Sequence, residues 1–441
     1  MPQPTDRAHG REVVLAAGLR TPWAKAGGVF RREDAAHLGA AVARELLDRA
    51  GLTGGELDEV IAGCAGPPHD QANVGRVLAL RAGVPARVPA RTVGRNCGSG
   101  MEAVTSAATA IAAGEGDLYL AVGVEVMSAY PLIVGPQMTE LLTRLQRAKT
   151  LPQRVAVASR FRPRSLRPRV AITEGLTDPT TGLIMGRTAE LLAREFGIGR
   201  QEADAFALES HRRAAAARAS GRLGREILPV LPLGAKPGDR ALDRDDGIRE
   251  EQSMEQLARL KPFFEKPDGV VTVGNSCGIT DGAAALLVAT PERARALSLT
   301  PLARLRAWAW AGLDPARMGL GPVFASAKAL ARAGCAMGDL GVIEINEAFA
   351  AQVLACGRAF ASDAFAQAYL GLGRSLGELD PARTNVNGGA IAIGHPVGAT
   401  GARLLLTAAL ELGVRDRELA LATLCIGGGQ GGAVVLERIA A

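Results

Sequence analysis

The chain repeats itself, and that repeat restricts its fold more than any other feature of its 441 residues. The run Leu47-Asp48-Arg49-Ala50-Gly51, followed by Gly55, Leu57 and Val60, matches Leu330-Ala331-Arg332-Ala333-Gly334, followed by Gly338, Leu340 and Ile343, at a constant offset of 283 residues. Each copy has the grammar of a helix, a glycine stop and a strand, Val60-Ile61-Ala62 or Val342-Ile343-Glu344. Ordered matches of this kind indicate an internal duplication. Strands alternating with helices predict two doubly wound α/β halves, whose ligands bind near strand C-terminal ends.

The copies continue in step. Gly100 to Ala113 predicts a helix leading to a strand Leu118-Tyr119-Leu120-Ala121-Val122, and Gly401 to Leu412 predicts a helix leading to Leu419-Ala420-Leu421-Ala422-Thr423. The loops ahead of these helices, Arg95-Asn96-Cys97-Gly98-Ser99-Gly100 and Gly394-His395-Pro396, therefore occupy equivalent places. Packing about a pseudo-twofold axis would let them meet. Cys97, just ahead of a helix N-terminus, is positioned for a thiolate favoured by unpaired N–H groups and the helix dipole. The same residue reads equally well as a small buried hydrophobe.

Bulk composition removes several classes. The chain is 48% hydrophobic and 22% charged, as a globular protein is, and no apolar run is expected to span a bilayer. Met1 to Arg11 is polar, without a signal-peptide apolar region, and leads into a strand at Glu12-Val13-Val14-Leu15-Ala16. Six scattered cysteines with no C-x-x-C pair argue against a disulfide framework or zinc site and fit a reducing cytoplasm. No metal is expected. The net charge of +6 is mostly local and is weak support for nucleic-acid binding, which is not expected. Residues 131 to 169 hold nine Lys/Arg and one acid, Glu140. There Met138, Leu141, Leu142 and Leu145 mark a helical face, and Pro152 is expected to end that segment. The stretch reads as a solvated lid or as a docking surface for an anionic membrane or partner. The expected organisation is a first half at 1–130 and 206–295, an inserted basic lid at 131–205, and a second half at 296–441. Gly427 to Gly432 precedes a strand, Ala433-Val434-Val435-Leu436, and so is no dinucleotide fingerprint.

Asn96-Cys97-Gly98-Ser99-Gly100, Asn346-Glu347-Ala348-Phe349-Ala350, Gly394-His395-Pro396 and Cys425-Ile426-Gly427-Gly428-Gly429-Gln430-Gly431 together resemble the thiolase family of coenzyme A-dependent acyltransferases. Arg20-Thr21-Pro22, Met185-Gly186-Arg187-Thr188-Ala189-Glu190 and Gly274-Asn275-Ser276-Cys277-Gly278 fall in family order, so the resemblance runs from about Glu12 to Glu437. It implies a duplicated five-layer αβαβα fold and reversible thiolysis of a 3-ketoacyl-CoA by CoA. Cys97 would be the acylated nucleophile and His395 its base. Cys425 would move a proton at the substrate α-carbon. The N–H groups of Gly427 and Cys97 would hold the acyl-enzyme oxyanion, and His395 with a water on Asn346 the other thioester oxygen. Asn346 also reads as a capping residue.

The resemblance further implies CoA as a substrate with no permanent cofactor, contacted by Arg249, Ser276, Cys277 and Met185. Arg249 lies in an adenine-contacting stretch, Asp245-Asp246-Gly247-Ile248-Arg249. Three positions depart from relatives: Cys277 replaces a pantetheine-contacting serine, Ile184 a histidine of some short-chain members, and Asn346 a histidine of some β-oxidation members. The basic insertion is similar to the longer loop of thiolase subunits in β-oxidation complexes, which implies a hydratase/dehydrogenase subunit or an anionic membrane as partner. A homodimer or dimer of dimers is expected. Two other readings are a ketosynthase-like condensing enzyme, which lacks the second cysteine, and an inactive lipid-binding carrier.

Overall fold

The computed structural model describes residues 10–439; Met1 to His9, part of the polar N-terminal stretch, residues 440–441, and the side chains of Arg164 and Ser165 lie outside the described residues. A ten-stranded mixed sheet runs through both halves. In the first half, strands Ala90–Val93, Glu59–Gly63 and Leu118–Val126 are parallel, and Thr280–Ala289 and Val14–Arg20 continue the sheet antiparallel. In the second, Val342–Ile345 and Leu419–Ile426 are parallel, and Gln430–Glu437 and Ala303–Gly312 follow antiparallel. The halves join edge to edge through Val14 with Arg304 and Leu15 with Ala303.

Side-chain alternation along the strands builds the layers. In Leu118–Val126, Leu120 and Val122 face an outer core with Leu38, Val42 and Leu78, whereas Ala121 faces an inner core. The inner core also holds Met101, Val104 and Ile111 of the helix Ser99–Ala113, and Leu404, Leu405 and Leu412 of the helix Val397–Val414. Leu421 and Val435 face a second outer core with Val323, Leu330 and Phe360. Two central helices between two sheets, with helices outside each, make five layers. The helix Val397–Val414 is, contrary to expectation, long and apolar enough to cross a bilayer, but 83% of it is buried between the sheets.

The predicted span 131–205 contains two unlike parts. Leu132–Ile133 pairs antiparallel with Arg169–Val170, so residues 134–168 leave and return at one place. This excursion carries the helix Pro136–Arg147. Pro152 does not end the segment: it lies in the first turn of a second helix, Leu151–Ala158, where its missing N–H costs nothing, and Thr150 with Gln153 forms the capping box. The later helix Met185–Glu195, by contrast, buries Ala189, Leu192 and Ala193 in the second half's outer core.

Candidate active site

Glycines bring the two loops together. The helices Ser99–Ala113 and Val397–Val414 cross where neither has a side chain to keep them apart. A Cβ on Gly100 would lie 2.7 Å from the Gly398 carbonyl oxygen, and one on Gly401 would lie 2.4 Å from the Met101 nitrogen. Backbone therefore touches backbone, and the helix Val397–Val414 packs on the turn that carries Cys97. Gly394 takes φ +101°, and a Cβ there would fall 2.3 Å from Thr280 Cγ2, so only glycine turns this loop. The His395 N–H donates to the Gly278 carbonyl at 3.1 Å.

Thr400 Oγ1 lies 2.7 Å from His395 Nδ1 and 3.1 Å from the Pro396 carbonyl. With the hydroxyl proton assigned to that carbonyl, Nδ1 carries the ring proton and Nε2 keeps its lone pair. Nε2 is buried without a partner, as are both amide atoms of the Asn346 side chain. Buried orphan polar atoms of this kind point to an absent ligand or water. Asn346 follows the strand Val342–Ile345, and its N–H donates to the Thr423 carbonyl at 3.0 Å. Its side chain caps nothing.

Cys97 lies in a single turn, Asn96–Gly98, ahead of its helix and is half-buried. Asn96 Nδ2 donates to the Gly427 carbonyl at 2.9 Å, tying this turn to the glycine run. Cys425 is buried near the end of its strand, opposite Gly431. Gly428 and Gly429, at φ +88° and +77°, make the hairpin turn after it.

Burial pushes the Cys97 thiol up, although the backbone amides of Gly427 and Cys97 itself pull the other way. Burial, helped by the Arg403 charge, lowers His395 to about 3. Burial also lifts Cys425 far up and Cys277 to about 12, each further raised by the neighbouring Cys97. Burial thus favours the neutral form of the three thiols and of the imidazole.

Met185 joins Cys97, Asn96 and Gly427 around a cavity of 330 Å³. Ser276 spends its hydroxyl on the Thr272 carbonyl at 2.6 Å, and the Cys277 N–H donates to the Ala348 carbonyl at 3.1 Å. Arg249 does not line that cavity. It is exposed in a separate depression with Arg218, Ile248 and Gln256, and its N–H donates to His211 Nδ1 at 3.2 Å. Burial, then the Arg249 charge, lowers His211 to about 4, which keeps it an acceptor. Sequence reasoning missed Thr400, His211 and Glu125. Glu125 had a signal: it is an acid inside the otherwise apolar strand Leu118–Val126. Among the described residues no cluster of three or more His, Cys, Asp or Glu is arranged to hold a metal.

The pattern defining the thiolase N-terminal domain matches residues 13–292, and that of the thiolase C-terminal domain matches 299–438. A 3-ketoacyl-CoA thiolase of Pectobacterium atrosepticum is 39% identical over 430 residues, covering 97% of each chain. One from Yersinia enterocolitica is 38% identical over 437 residues, covering 99% of each. The human mitochondrial 3-ketoacyl-CoA thiolase, solved alone and with CoA, superposes with TM-scores of 0.84 and 0.83 at 33% identity, each over 98% of this chain and over 100% and 98% of the human chains. A Bacillus anthracis acetyl-CoA acetyltransferase gives 0.85 at 35% identity, over 97% of this chain and 99% of its own.

Proposed function

The chain belongs to the thiolase family, and from that premise we propose that it is a 3-ketoacyl-CoA thiolase in which Cys97 is the acylated residue. The observation that carries this is the buried, unpartnered Nε2 of His395, which lies in the loop ahead of the helix that packs on the Cys97 turn and whose ring is held through Nδ1 by Thr400. Cys97 Sγ attacks the 3-keto carbon while its proton passes to His395 Nε2. The bond between the α-carbon and the keto carbon breaks. The electron pair goes to the α-carbon, which takes the Cys425 proton, and acetyl-CoA leaves. The sulfur of CoA then attacks the acyl-enzyme and gives its proton to the Cys425 thiolate. Shortened acyl-CoA leaves, and His395 returns its proton to Cys97. The N–H groups of Gly427 and Cys97 hold the acyl oxygen, and Asn346 with His395 holds the thioester oxygen of the leaving acetyl group. Because both sulfurs begin as thiols, proton transfer accompanies attack.

On the same footing, Met185, Cys277 and Ser276 border the pantetheine arm and Arg249 the adenine end of CoA. We propose a homodimer or dimer of dimers in a reducing compartment such as the cytoplasm. The excursion's cations, together with exposed Leu132, Val134, Leu151, Val155 and Leu166, support docking to an acidic hydratase/dehydrogenase subunit or anionic lipid.

The test is CoA-dependent loss of a 3-ketoacyl-CoA, with mass spectrometry of the trapped protein. An acyl adduct on Cys97, still formed in Cys425→Ala while carbon–carbon cleavage stops, is the expected result. An adduct confined to another residue would overturn the assignment. Turnover of acetoacetyl-CoA alone would favour the acetyltransferase reading.

A further inference from the structure

Asn346 and His395 share a task but come from different elements. Asn346 follows the strand Val342–Ile345, and His395 follows the short helix Ala390–Ile393 and Gly394. His395 is held twice, through Thr400 and through its N–H on the Gly278 carbonyl. The Asn346 side chain has no partner at either amide atom, so no bond of its own holds it in place. Its position comes from the backbone on either side.

One buried asparagine grips both sides. Asn385 Oδ1 accepts from the Ile345 N–H at 2.9 Å, and Asn385 Nδ2 donates to the Ile345 carbonyl at 2.9 Å and to Glu347 Oε1 at 2.8 Å. Asn385 stands at φ +45°, a left-handed conformation that asparagine adopts more readily than most residues. Glu347 carries the link onward: its Oε2 accepts from Ser210 Oγ at 2.6 Å and from the Ile391 N–H at 3.2 Å. Ile391 lies in the short helix that leads to His395. Gly389 makes the room, because a Cβ there would fall 2.3 Å from Glu347 Cδ. Burial raises the Glu347 carboxyl, and its donors from Ser210, Asn385 and Ile391 pull it back. A buried carboxylate is a poor source of stability, since desolvation offsets much of what its partners return. Stability alone does not account for its place beside Asn346.

We propose that Glu347 and Asn385 are positioning residues that fix Asn346 relative to His395, and so serve the carbon–carbon step rather than thioester exchange at Cys97. The inference rests on the thiolase reading, in which Asn346 and His395 hold the oxygen of the leaving acetyl thioester. Neither Glu347 nor Asn385 lines the cavity at Cys97. Negative charge builds on the acetyl thioester oxygen only while the bond between the α-carbon and the keto carbon breaks. Exchange of an acyl group between CoA and Cys97 builds charge on the acyl oxygen instead, which the N–H groups of Gly427 and Cys97 hold. Displacing Asn346 therefore slows the first reaction and spares the second.

The experiment forms one acyl-enzyme by two routes. With the full chain in excess and no CoA, 3-ketohexanoyl-CoA gives butyryl-Cys97 by carbon–carbon cleavage and releases acetyl-CoA. Butyryl-CoA gives the same adduct by thioester exchange and releases CoA. Rapid quenching with mass spectrometry measures both rates. Glu347→Gln offers an acceptor at only one of the two oxygen positions and should lower the ratio of the first rate to the second by about ten-fold or more. Asn385→Asp turns a carboxylate toward Glu347 and the Ile345 carbonyl and should lower it at least as far. Ser210→Ala removes one donor, is the mildest change, and should lower it about three-fold. Glu411→Gln is the control: this carboxylate is also buried, but it pairs with Arg222 near the far end of the helix Val397–Val414. Its ratio should stay within about two-fold of the parent. Because each ratio compares two reactions of one protein, partial loss of folded enzyme cancels. Parental ratios in every Glu347, Asn385 and Ser210 variant that folds, or an equal fall in Glu411→Gln, overturn the positioning role and leave the thiolase reading standing. A parent that forms no butyryl adduct from 3-ketohexanoyl-CoA overturns both.

Discussion

Two regions of the molecule, the helix crossing behind Cys97 and the excursion between Leu132 and Val170, are built on opposite plans. At the crossing of Ser99–Ala113 with Val397–Val414, glycines let backbone meet backbone, and one added carbon at Gly100 or Gly401 collides with main-chain atoms. The excursion between Leu132 and Val170 has many of its large apolar residues in solvent, Leu132, Val134, Leu151, Val155 and Leu166 among them, nine cations against one acid from 131 to 169, and one glycine, Gly135, with nothing within 4 Å of an added carbon. The crossing is where reacting atoms must be placed to a fraction of an ångström. The excursion is where substitution is cheap and the surface is free to be shaped by whatever docks there. The difference locates rigidity with chemistry and tolerance with recognition.

The hardest test of the rigid side is Cys97→Ala. Removing a nucleophile costs about 10,000-fold or more in kcat, and thiolysis should fall by that much with no acyl adduct by mass spectrometry. Residual turnover above about one per cent would move the chemistry away from the crossing.

The next effect is on pH. Burial raises the Cys97 thiol, and His395, lowered to about 3, stays neutral above that. The thiolate fraction then grows about ten-fold per pH unit below the thiol's own midpoint. Alkylation of Cys97 by iodoacetamide should therefore climb steadily from roughly pH 6 to pH 9. A plateau below neutrality would mean a resting thiolate–imidazolium pair, and the neutral site described above would be wrong.

Thr400→Val removes the acceptor for the His395 Nδ1 proton. A hydrogen bond to a group that becomes charged contributes about 1.5–3 kcal/mol, or roughly ten- to a hundred-fold in kcat. KM should stay near the parent value, and Thr400→Ser should restore most of the loss. A valine variant with parental kcat would show that packing alone holds the imidazole.

Gly401→Ala and Gly135→Ala compare the two plans by one methyl group each. The first meets the Met101 backbone at 2.4 Å and should cost about 1–3 kcal/mol of stability in urea unfolding. The second caps the helix Pro136–Arg147 in open space, where only the weaker N-cap preference of alanine counts, and should cost about 0.5 kcal/mol. Equal shifts would erase the contrast.

The sequence made the crossing legible and the cavity behind it nearly illegible, for a physical reason. The duplicated grammar put Cys97 and His395 at equivalent places, because helix, stop and strand are local features that repeat at a fixed offset. Both helices were foreseen, although they begin a little earlier than expected, at Ser99 and Val397, since a first turn carries little apolar signal. Pro152 read as a stop because proline is tolerated in a helix only in its first turn, and which turn it occupies depends on Thr150 and Gln153 beside it. The partnership of Glu125 with Ala65, Gly66 and Gly398 links residues up to 273 apart in the chain, and no periodicity encodes such a contact. The burial around Cys97 is likewise hard to read: position at a helix terminus shows in the sequence, whereas the burial that opposes it does not.

The smallest expected effect belongs to the excursion. Arg160, Arg162 and Arg167 are exposed and lie outside every wall of the cavity at Cys97. Changing them, with Arg164, to serine removes four positive charges from a stretch holding nine. Surface charges of this kind contribute well under about 1 kcal/mol to stability, so the melting temperature should barely move and thiolysis of a soluble 3-ketoacyl-CoA should stay within about two-fold of the parent. Recognition is another matter, because each cation near an anionic surface contributes about 1 kcal/mol at low salt. Four of them should shift co-sedimentation with phosphatidylserine vesicles, or capture of an acidic hydratase/dehydrogenase subunit, by orders of magnitude. Raising the salt should abolish the same association in the parent as the screening length shortens. If the parent binds neither at low salt, the excursion docks nothing and its charge serves solubility alone. If instead the serine variant loses thiolysis of the soluble substrate, the excursion is part of the rigid machinery after all, and the division between the two regions fails.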